Sequence, residues 1–366
     1  MIFRFPRLTV YGLLIVSLVF GSIAAVELLR RERHTVSPKP AIGTPKAGKA
    51  SRLDELLALS PSELESIDVA LMNLLCAEGL PGAEGLNVED SLRRLDGIAK
   101  RVESETTRHH YKFRERPEEF NHSEGYFRML LMAVVLQEDL GITYNPERVT
   151  EVGNFEPNDV FFGDSRDIFI HGLIGDDRRM GTCSSLPVLY VAVGRRLGYP
   201  LKLVPTQNHL FVRWEDSRER FNVDATGRGM NMYDDNHYRQ WPFRISAEEE
   251  REFGYLRSMT SADELSAFLG LRGHCLIAAK RLQEGLEAHE QALRLCPNSR
   301  IQELILAKVK AQLHGTGPSL ALLPPELEPY WTTSERRGAP ENVPGVGSNG
   351  FPPPLPNPLA RISGPN

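Results

Sequence analysis

The period of the apolar pattern changes twice along the chain, from helical to alternating and back to helical. Ser60-Pro61-Ser62-Glu63 is a cap-type opening, and Ile67, Leu71, Leu74 and Leu75 follow at helical spacing, which predicts one helix. Residues 79–87 break it. Val88, Leu92, Leu95, Ile98 and Val102 predict a second helix. Residues 124–140 predict a third, apolar through Met129, Leu130, Met132, Ala133, Val135 and Leu136, with Gly141 as its left-handed cap. Leu186, Leu189, Tyr190, Val193 and Leu197 set a further helix that begins near Ser184, its capping residue, and ends at Gly198 before Pro200. Pro187 fits only its first turn, where no N–H is needed. Alternation then appears at residues 209–214 and 220–224, two strands around Glu215-Asp216-Ser217-Arg218-Glu219. From Ser266 onward the helical period returns.

The two ends of the chain stand outside this pattern. Residues 8–26 form an uncharged apolar run long enough to span a bilayer as a helix. That favours a single-pass membrane anchor. Ser22-Ile23-Ala24 has the small residues of a signal-cleavage site, so export after cleavage is the alternative. Arg4 and Arg7 precede the run while Arg30, Arg31 and Arg33 follow it, so charge does not orient it and the side of the membrane stays open. Residues 30–51 read as a linker. Residues 315–366 are rich in proline, including Pro352-Pro353-Pro354, and read as a disordered tail.

Composition narrows the function classes. The chain has 366 residues with 41% hydrophobic and 25% charged, ordinary globular usage. A net charge of -5 argues against a nucleic-acid partner, which calls for a basic face. The four cysteines, at 76, 183, 275 and 296, are too few and too scattered for a disulfide framework or a zinc cluster. His109-His110 invites a metal reading, but helical neighbours point about 100 degrees apart. No His-Glu-x-x-His or Cys-x-x-Cys occurs. No metal and no cofactor is expected.

The chemistry concentrates between Met180 and Asp224. Gly181-Thr182-Cys183-Ser184-Ser185 puts Cys183 at a helix start, where the positive end of the dipole favours a thiolate nucleophile. If the hairpin closes at Asp216-Ser217 with Glu215 opposite Arg218, His209 falls directly opposite Asp224. Leu210, Val212, Trp214, Phe221 and Val223 then share one face, and His209, Phe211, Arg213, Arg220, Asn222 and Asp224 the other. Facing side chains in such a pair are close enough for a carboxylate to hydrogen-bond an imidazole. The roles follow. Cys183 attacks, His209 holds the thiolate and later protonates a leaving amine, and Asp224 fixes the tautomer of His209. The plain alternative is a buried cysteine and a hydrogen-bonded histidine in an ordinary hairpin. The backbone N–H of Cys183 is the first candidate for an oxyanion donor. Residues 161–177, with Asp164, Arg166, Asp167, His171, Asp176 and Asp177, are candidates to line a cleft, with a local Arg166–Asp167 salt bridge favoured. Residues 227–241 read as a loop over the site.

Gly181-Thr182-Cys183 on a helix start, His209 on one strand and Asp224 on the next resemble the transglutaminase-like cysteine superfamily, which shares a papain-like core. The likeness to bacterial SirB-type transglutaminase-like proteins extends over residues 76–82, Tyr126-Phe127-Arg128, residues 144–148, Ser165-Arg166-Asp167 and residues 181–200. The resemblance implies an α+β fold in which a helix bearing the cysteine packs on an antiparallel sheet. It implies Cys183, His209 and Asp224 as nucleophile, base and orienting acid. Gln207-Asn208 departs from the Gly-His pairing common in the group and makes the approach to His209 bulkier.

After the strands, Leu269, Gly273, Leu276, Gly285, Leu286, Ala292 and Pro297 resemble one tetratricopeptide unit, with residues 301–313 as a closing helix. A single repeat cannot bury its own face, so it should dock on the core, or else on a protein partner. The expected organisation is an anchor or signal segment at 1–29 and a linker at 30–51. A helical N-terminal part of the core follows at 52–145, then a transglutaminase-like core at 146–260. Tetratricopeptide-like helices occupy 261–314 and the tail 315–366. The expected function is acyl transfer through a thioester on a protein or peptide amide, of amidase, protease or transglutaminase type. The alternative is a non-catalytic scaffold that binds protein partners through the helical repeat.

Overall fold

The structure, a computed structural model, describes residues 52–148, 159–175 and 178–313. The apolar run at 8–26, the linker, the proline-rich tail, Asp176 and Asp177 lie outside the described residues. Among those described, no helix is long and apolar enough to cross a membrane. Seven helices carry the argument: α1 (Val69–Ala77), α2 (Val88–Glu115), α3 (Glu124–Val134), α4 (Leu186–Arg196), α5 (Ser261–Ala278), α6 (Leu282–Leu295) and α7 (Arg300–Leu313). A parallel pair joins β1 (Thr143–Tyr144) to β2 (Met180–Gly181). An antiparallel sheet has the order β3 (Leu201–Thr206), β4 (His209–Glu215), β5 (Arg220–Val223). The fold is mixed helix and sheet.

The single helix expected from Ser60 onward is two. Ser60 and Glu63 form a reciprocal capping box on the one-turn helix Pro61–Leu64. The chain then turns, and Asp68 opens α1 by accepting the Ala70 N–H at 2.9 Å. Arg196 of α4 holds the same carboxylate with two nitrogens, and a long-range ion pair of this kind is invisible to local periodicity. All nine residues of α1 are buried, as suits a helix that is apolar apart from Asn73, whose Oδ1 accepts the Ile170 N–H at 3.0 Å. The second helix runs past its stripe to Glu115. There Phe113 stacks on Phe127 at 5.7 Å, while Arg93–Glu89 and Arg94–Asp90 brace its first turns at helical spacing.

α3 does not stay α-helical to Leu140. Its last turn, Val135–Asp139, is a π turn, closed by the Leu140 N–H on Val135 O at 3.0 Å. Gly141 then ends it at φ +69°. The π turn places Gln137 where its side-chain amide donates to Tyr190 Oη and to the carbonyls of Gly227 and Gly229, and its carbonyl accepts the Gly229 N–H at 2.6 Å. Such turns recur where a helix must present one side chain out of phase.

The hairpin register differs from the expected one by two residues. Glu215 pairs with Arg220 and Val212 with Val223, so Asp216 to Glu219 form a four-residue loop. Asp216 explains this, because its carboxylate accepts the N–H groups of Arg218 and Glu219 at 2.7 and 2.9 Å. A two-residue turn would have needed left-handed backbone at Asp216 or Ser217, and neither residue is glycine or asparagine. Because the slip is even, every side chain keeps its expected face. Val212, Trp214 and Val223 join the main core with α4, and Val204 and Phe211 pack with Tyr238 and Trp241 on the opposite side. The alternation does not predict the edge strand β3, since Pro205 interrupts it.

The C-terminal helices pack on the rest. Leu265, Phe268, Leu269 and Leu276 of α5 share the main core with Leu71 and Leu75 of α1. Arg195 grips the buried Glu264 with two bonds of 2.9 and 2.6 Å, and Arg272 donates to Cys76 O at 2.9 Å. Gly273 permits the close approach of α6: a Cβ there would sit 2.5 Å from His289 Nε2. Cys76 and Cys275 are buried, Cys296 half-buried, and none of the four cysteines is bonded to another.

Candidate functional site

The site is assembled at the mouth of the β3–β4 hairpin. Gln207-Asn208 makes a two-residue turn, with Asn208 in the left-handed region at φ +57°, a conformation asparagine tolerates better than most residues. The turn delivers His209 as the first residue of β4, 8% exposed. Two aromatic rings from the loop over the site pack on the imidazole. Trp241 meets it edge-on at 4.8 Å, and Tyr238 lies nearly parallel at 6.2 Å.

Asp224 follows the last residue of β5 and is pinned to Asn231 by a backbone bond of 2.8 Å. Its Oδ2 accepts His209 Nε2–H at 2.8 Å and Tyr238 O–H at 3.3 Å, while Oδ1 accepts Thr226 N–H at 2.9 Å and the Thr226 hydroxyl. His209 and Asp224 are therefore diagonal neighbours rather than a direct pair. They meet because an even slip leaves them on one face and the imidazole reaches across. Nε2 being committed to Asp224, Nδ1 is the nitrogen left for a thiol.

Cys183 sits in a turn, and α4 begins at Leu186 with Ser185 as its flanking residue, so Ser184 is not the cap expected of it. Thr182 and Ser185 explain the delay. Their hydroxyls both donate to Asp167 O at 2.9 Å, and Ser185 Oγ accepts the Thr182 N–H. These bonds hold the turn open and leave Cys183 between them, partly exposed. Its Sγ lies 3.9 Å from the carbonyl of Asn208, the residue before His209. The three residues singled out in the sequence thus converge. Pro187 lies in the first turn of α4, where it was expected.

Two candidates for lining the cleft find partners other than the expected ones. Asp167, fully buried, accepts from Asn145 Nδ2 at 2.8 Å, Arg148 Nε at 2.9 Å and Arg178 Nη2. Arg166 turns the other way and pairs with Asp164 at 2.6 Å, so the expected Arg166–Asp167 bridge does not form. The reason is local: Asp164 caps the short helix Ser165–Ile168, which brings Arg166 back onto its carboxylate. His171 is also turned away from the site, with Nε2 3.3 Å from both Ser165 Oγ and Gly82 O. The adjacent His109 and His110 face different partners, Glu105 and Glu124. Among the described residues no cluster of metal-binding side chains occurs.

Electrostatics at the centre favour an ion pair. Burial opposes charge on His209, but the Asp224 charge and hydrogen bond, followed by the Cys183 thiol, outweigh it and raise the imidazole to about 10. Burial likewise opposes the Asp224 charge, yet His209 and Thr226 hold the carboxyl below its ordinary value. An imidazolium held in this way is the partner that stabilises a neighbouring thiolate. It also sets a pH signature. His209 binds its proton more tightly folded than unfolded, so its contribution to stability is complete below about pH 6.5. That contribution is lost as pH rises toward the folded value of about 10. Urea midpoints of the wild-type protein should therefore fall between pH 6.5 and 10, and Asp224→Asn should flatten that slope. An unchanged slope in the variant would assign it to other groups.

A thiol, an imidazole and a carboxylate thus lie in series on a helix-flanked antiparallel sheet. Residues 89–266, just under half of the chain, match the family model described as the Transglutaminase-like superfamily. The chain carries a transglutaminase-like superfamily domain over those residues. No curated protein and no solved structure matches it.

Proposed function

We propose that the protein is a cysteine acyltransferase or amide hydrolase of transglutaminase-like type, similar in kind to the SirB branch, with a papain-like core. Cys183 Sγ attacks the carbonyl carbon of a protein or peptide amide, and the carbonyl electron pair moves to oxygen. When the tetrahedral species collapses, the S–C bond stays, the C–N bond breaks and the His209 proton passes to the leaving amine. Water or a second amine then attacks the thioester, gives its proton to His209 and releases the thiolate. Asp224 keeps Nε2–H oriented throughout. The backbone N–H of Cys183 is a natural oxyanion donor. The helices from 261 onward fit a tetratricopeptide-like unit that braces this core, and the run at 8–26 would tether it to a membrane.

The 2.8 Å bond from His209 to Asp224, with Cys183 presented beside the same imidazole, is the observation that carries this reading. The test is alkylation by iodoacetamide at about pH 6, where only a thiol paired with an imidazolium reacts fast. Burial pushes Cys76 and Cys275 up to about 12 and Cys296 up to about 11. Peptide mapping should find Cys183 modified first and His209→Gln should remove that preference. Equal labelling of all four cysteines would instead support a non-catalytic scaffold that uses its helical repeat to bind partners.

A further inference from the structure

A tetrahedral intermediate at Cys183 carries an oxyanion that one backbone N–H stabilises incompletely, and the sequence offers no second donor. The β1–β2 pair supplies a position for one. Tyr144 pairs with Gly181, two residues before Cys183, and the register is locked on both sides by Thr143 N–H on Arg179 O at 3.0 Å and Asn145 N–H on Gly181 O at 2.8 Å. Asn145 is tied in turn to Asp167, whose carbonyl holds the two hydroxyls around Cys183. The backbone carrying Tyr144 and the turn carrying Cys183 are thus parts of one hydrogen-bonded unit.

The Tyr144 side chain is partly exposed and lines a cavity of about 300 Å³. Ala225 and Thr226, directly after Asp224, line the same cavity, as does Gln137, which clamps the Gly227–Gly229 backbone. The cavity therefore opens between Tyr144 and the end of the strand that carries the orienting acid. Burial, then the charges at Cys183, Asp167 and Asp224, raises the phenol and keeps its proton in place. Its O–H lies 3.4 Å from Arg148 O, a long bond.

The geometry points to Tyr144 as the second oxyanion donor of the acyl-transfer site, with the adjoining cavity receiving the acyl part of the substrate. This assignment rests on the acyl-transfer reading above. The phenol donates to the carbonyl oxygen as it gains charge, and the proton stays on Tyr144. Two neutral donors, the Cys183 N–H and the Tyr144 O–H, then share one developing charge.

The test separates a reaction that forms an oxyanion from one that does not. p-Nitrophenyl acetate acetylates a thiolate through a tetrahedral oxyanion, whereas iodoacetamide alkylates it by direct displacement at carbon. In Tyr144→Phe, which keeps the ring and so the packing, the p-nitrophenolate burst from Cys183 should slow by roughly 100- to 1,000-fold, as for loss of one oxyanion donor. Its iodoacetamide rate and the pH profile of that rate should stay within about twofold, since the thiolate is untouched. A thermal midpoint matching wild type identifies the variant as folded. If both reactions slow together, Tyr144 acts on the thiol or its turn, and the assignment fails. If neither slows, it fails as well. A wild-type Cys183 that alkylates quickly but never acetylates would overturn the acyl-transfer reading itself and this assignment with it.

Discussion

Cys183→Ser should abolish the acylation burst and turnover of p-nitrophenyl acetate while leaving the thermal midpoint nearly unchanged, and Cys76→Ser should do the reverse. The two cysteines occupy opposite environments. Cys183 is half-buried in a polar turn between Thr182 and Ser184, where one sulfur replaced by oxygen disturbs little packing. A serine there is a poor nucleophile without a base matched to its much higher pKa. The loss expected for a missing nucleophile is on the order of 10⁴-fold or more. Cys76 is fully buried in α1, a helix with no exposed residue, and burial has raised its thiol to about 12. A hydroxyl at that place finds no water, and burying it costs about 1–3 kcal/mol unless it finds an acceptor. Activity and midpoint measured on both variants give four numbers with one expected pattern. Full activity in Cys183→Ser would leave the scaffold as the better account of the protein.

What the sequence disclosed of this site follows from how short the relevant distances are along the chain. The apolar stripe of α4 and the position of Pro187 locate Cys183 because both signals lie within one helix. The alternation of β4 and β5 put His209 and Asp224 on one face, and that survived a wrong turn because side-chain direction depends only on the parity of the register. The turn itself departs from the expected one for a local reason, the Asp216 carboxylate that caps a longer loop. Contacts between distant segments left no such trace. The Asp68–Arg196 pair, which splits the first helix, joins residues 128 positions apart. The π turn that sends Gln137 to the Gly227–Gly229 backbone has no periodic signature, because its side chain answers to a segment about 90 residues away. In the sequence Asp167 is one charge among several, and its neighbour Arg166 is the obvious partner. The fold gives it Arg148 and Arg178 instead.

Asp167 is consequently where the largest stability effect is expected. Its carboxylate, with no exposed surface, binds Asn145 from the β1 side, and the guanidinium groups of Arg148 and Arg178, each only 18% exposed, close around it. Its main-chain carbonyl simultaneously receives the hydroxyls of Thr182 and Ser185. One residue thus joins the β1–β2 pair to the turn that presents Cys183. Asp167→Ala removes the acceptor for two poorly solvated cations and an amide, a change that costs about 3–5 kcal/mol when a buried partner is deleted. Asp167→Asn retains the shape and two of the hydrogen-bonding positions but not the charge, and should fall between the alanine variant and wild type. The carbonyl bonds persist in both variants as long as the turn stays folded. Asp167→Asn should therefore keep a measurable preference for labelling at Cys183, whereas Asp167→Ala should lose that preference as the turn loosens. Urea denaturation gives the first quantity and iodoacetamide mapping the second. A loss below about 1 kcal/mol in Asp167→Ala, the size of an exposed pair, would show that this cluster does not hold the site together.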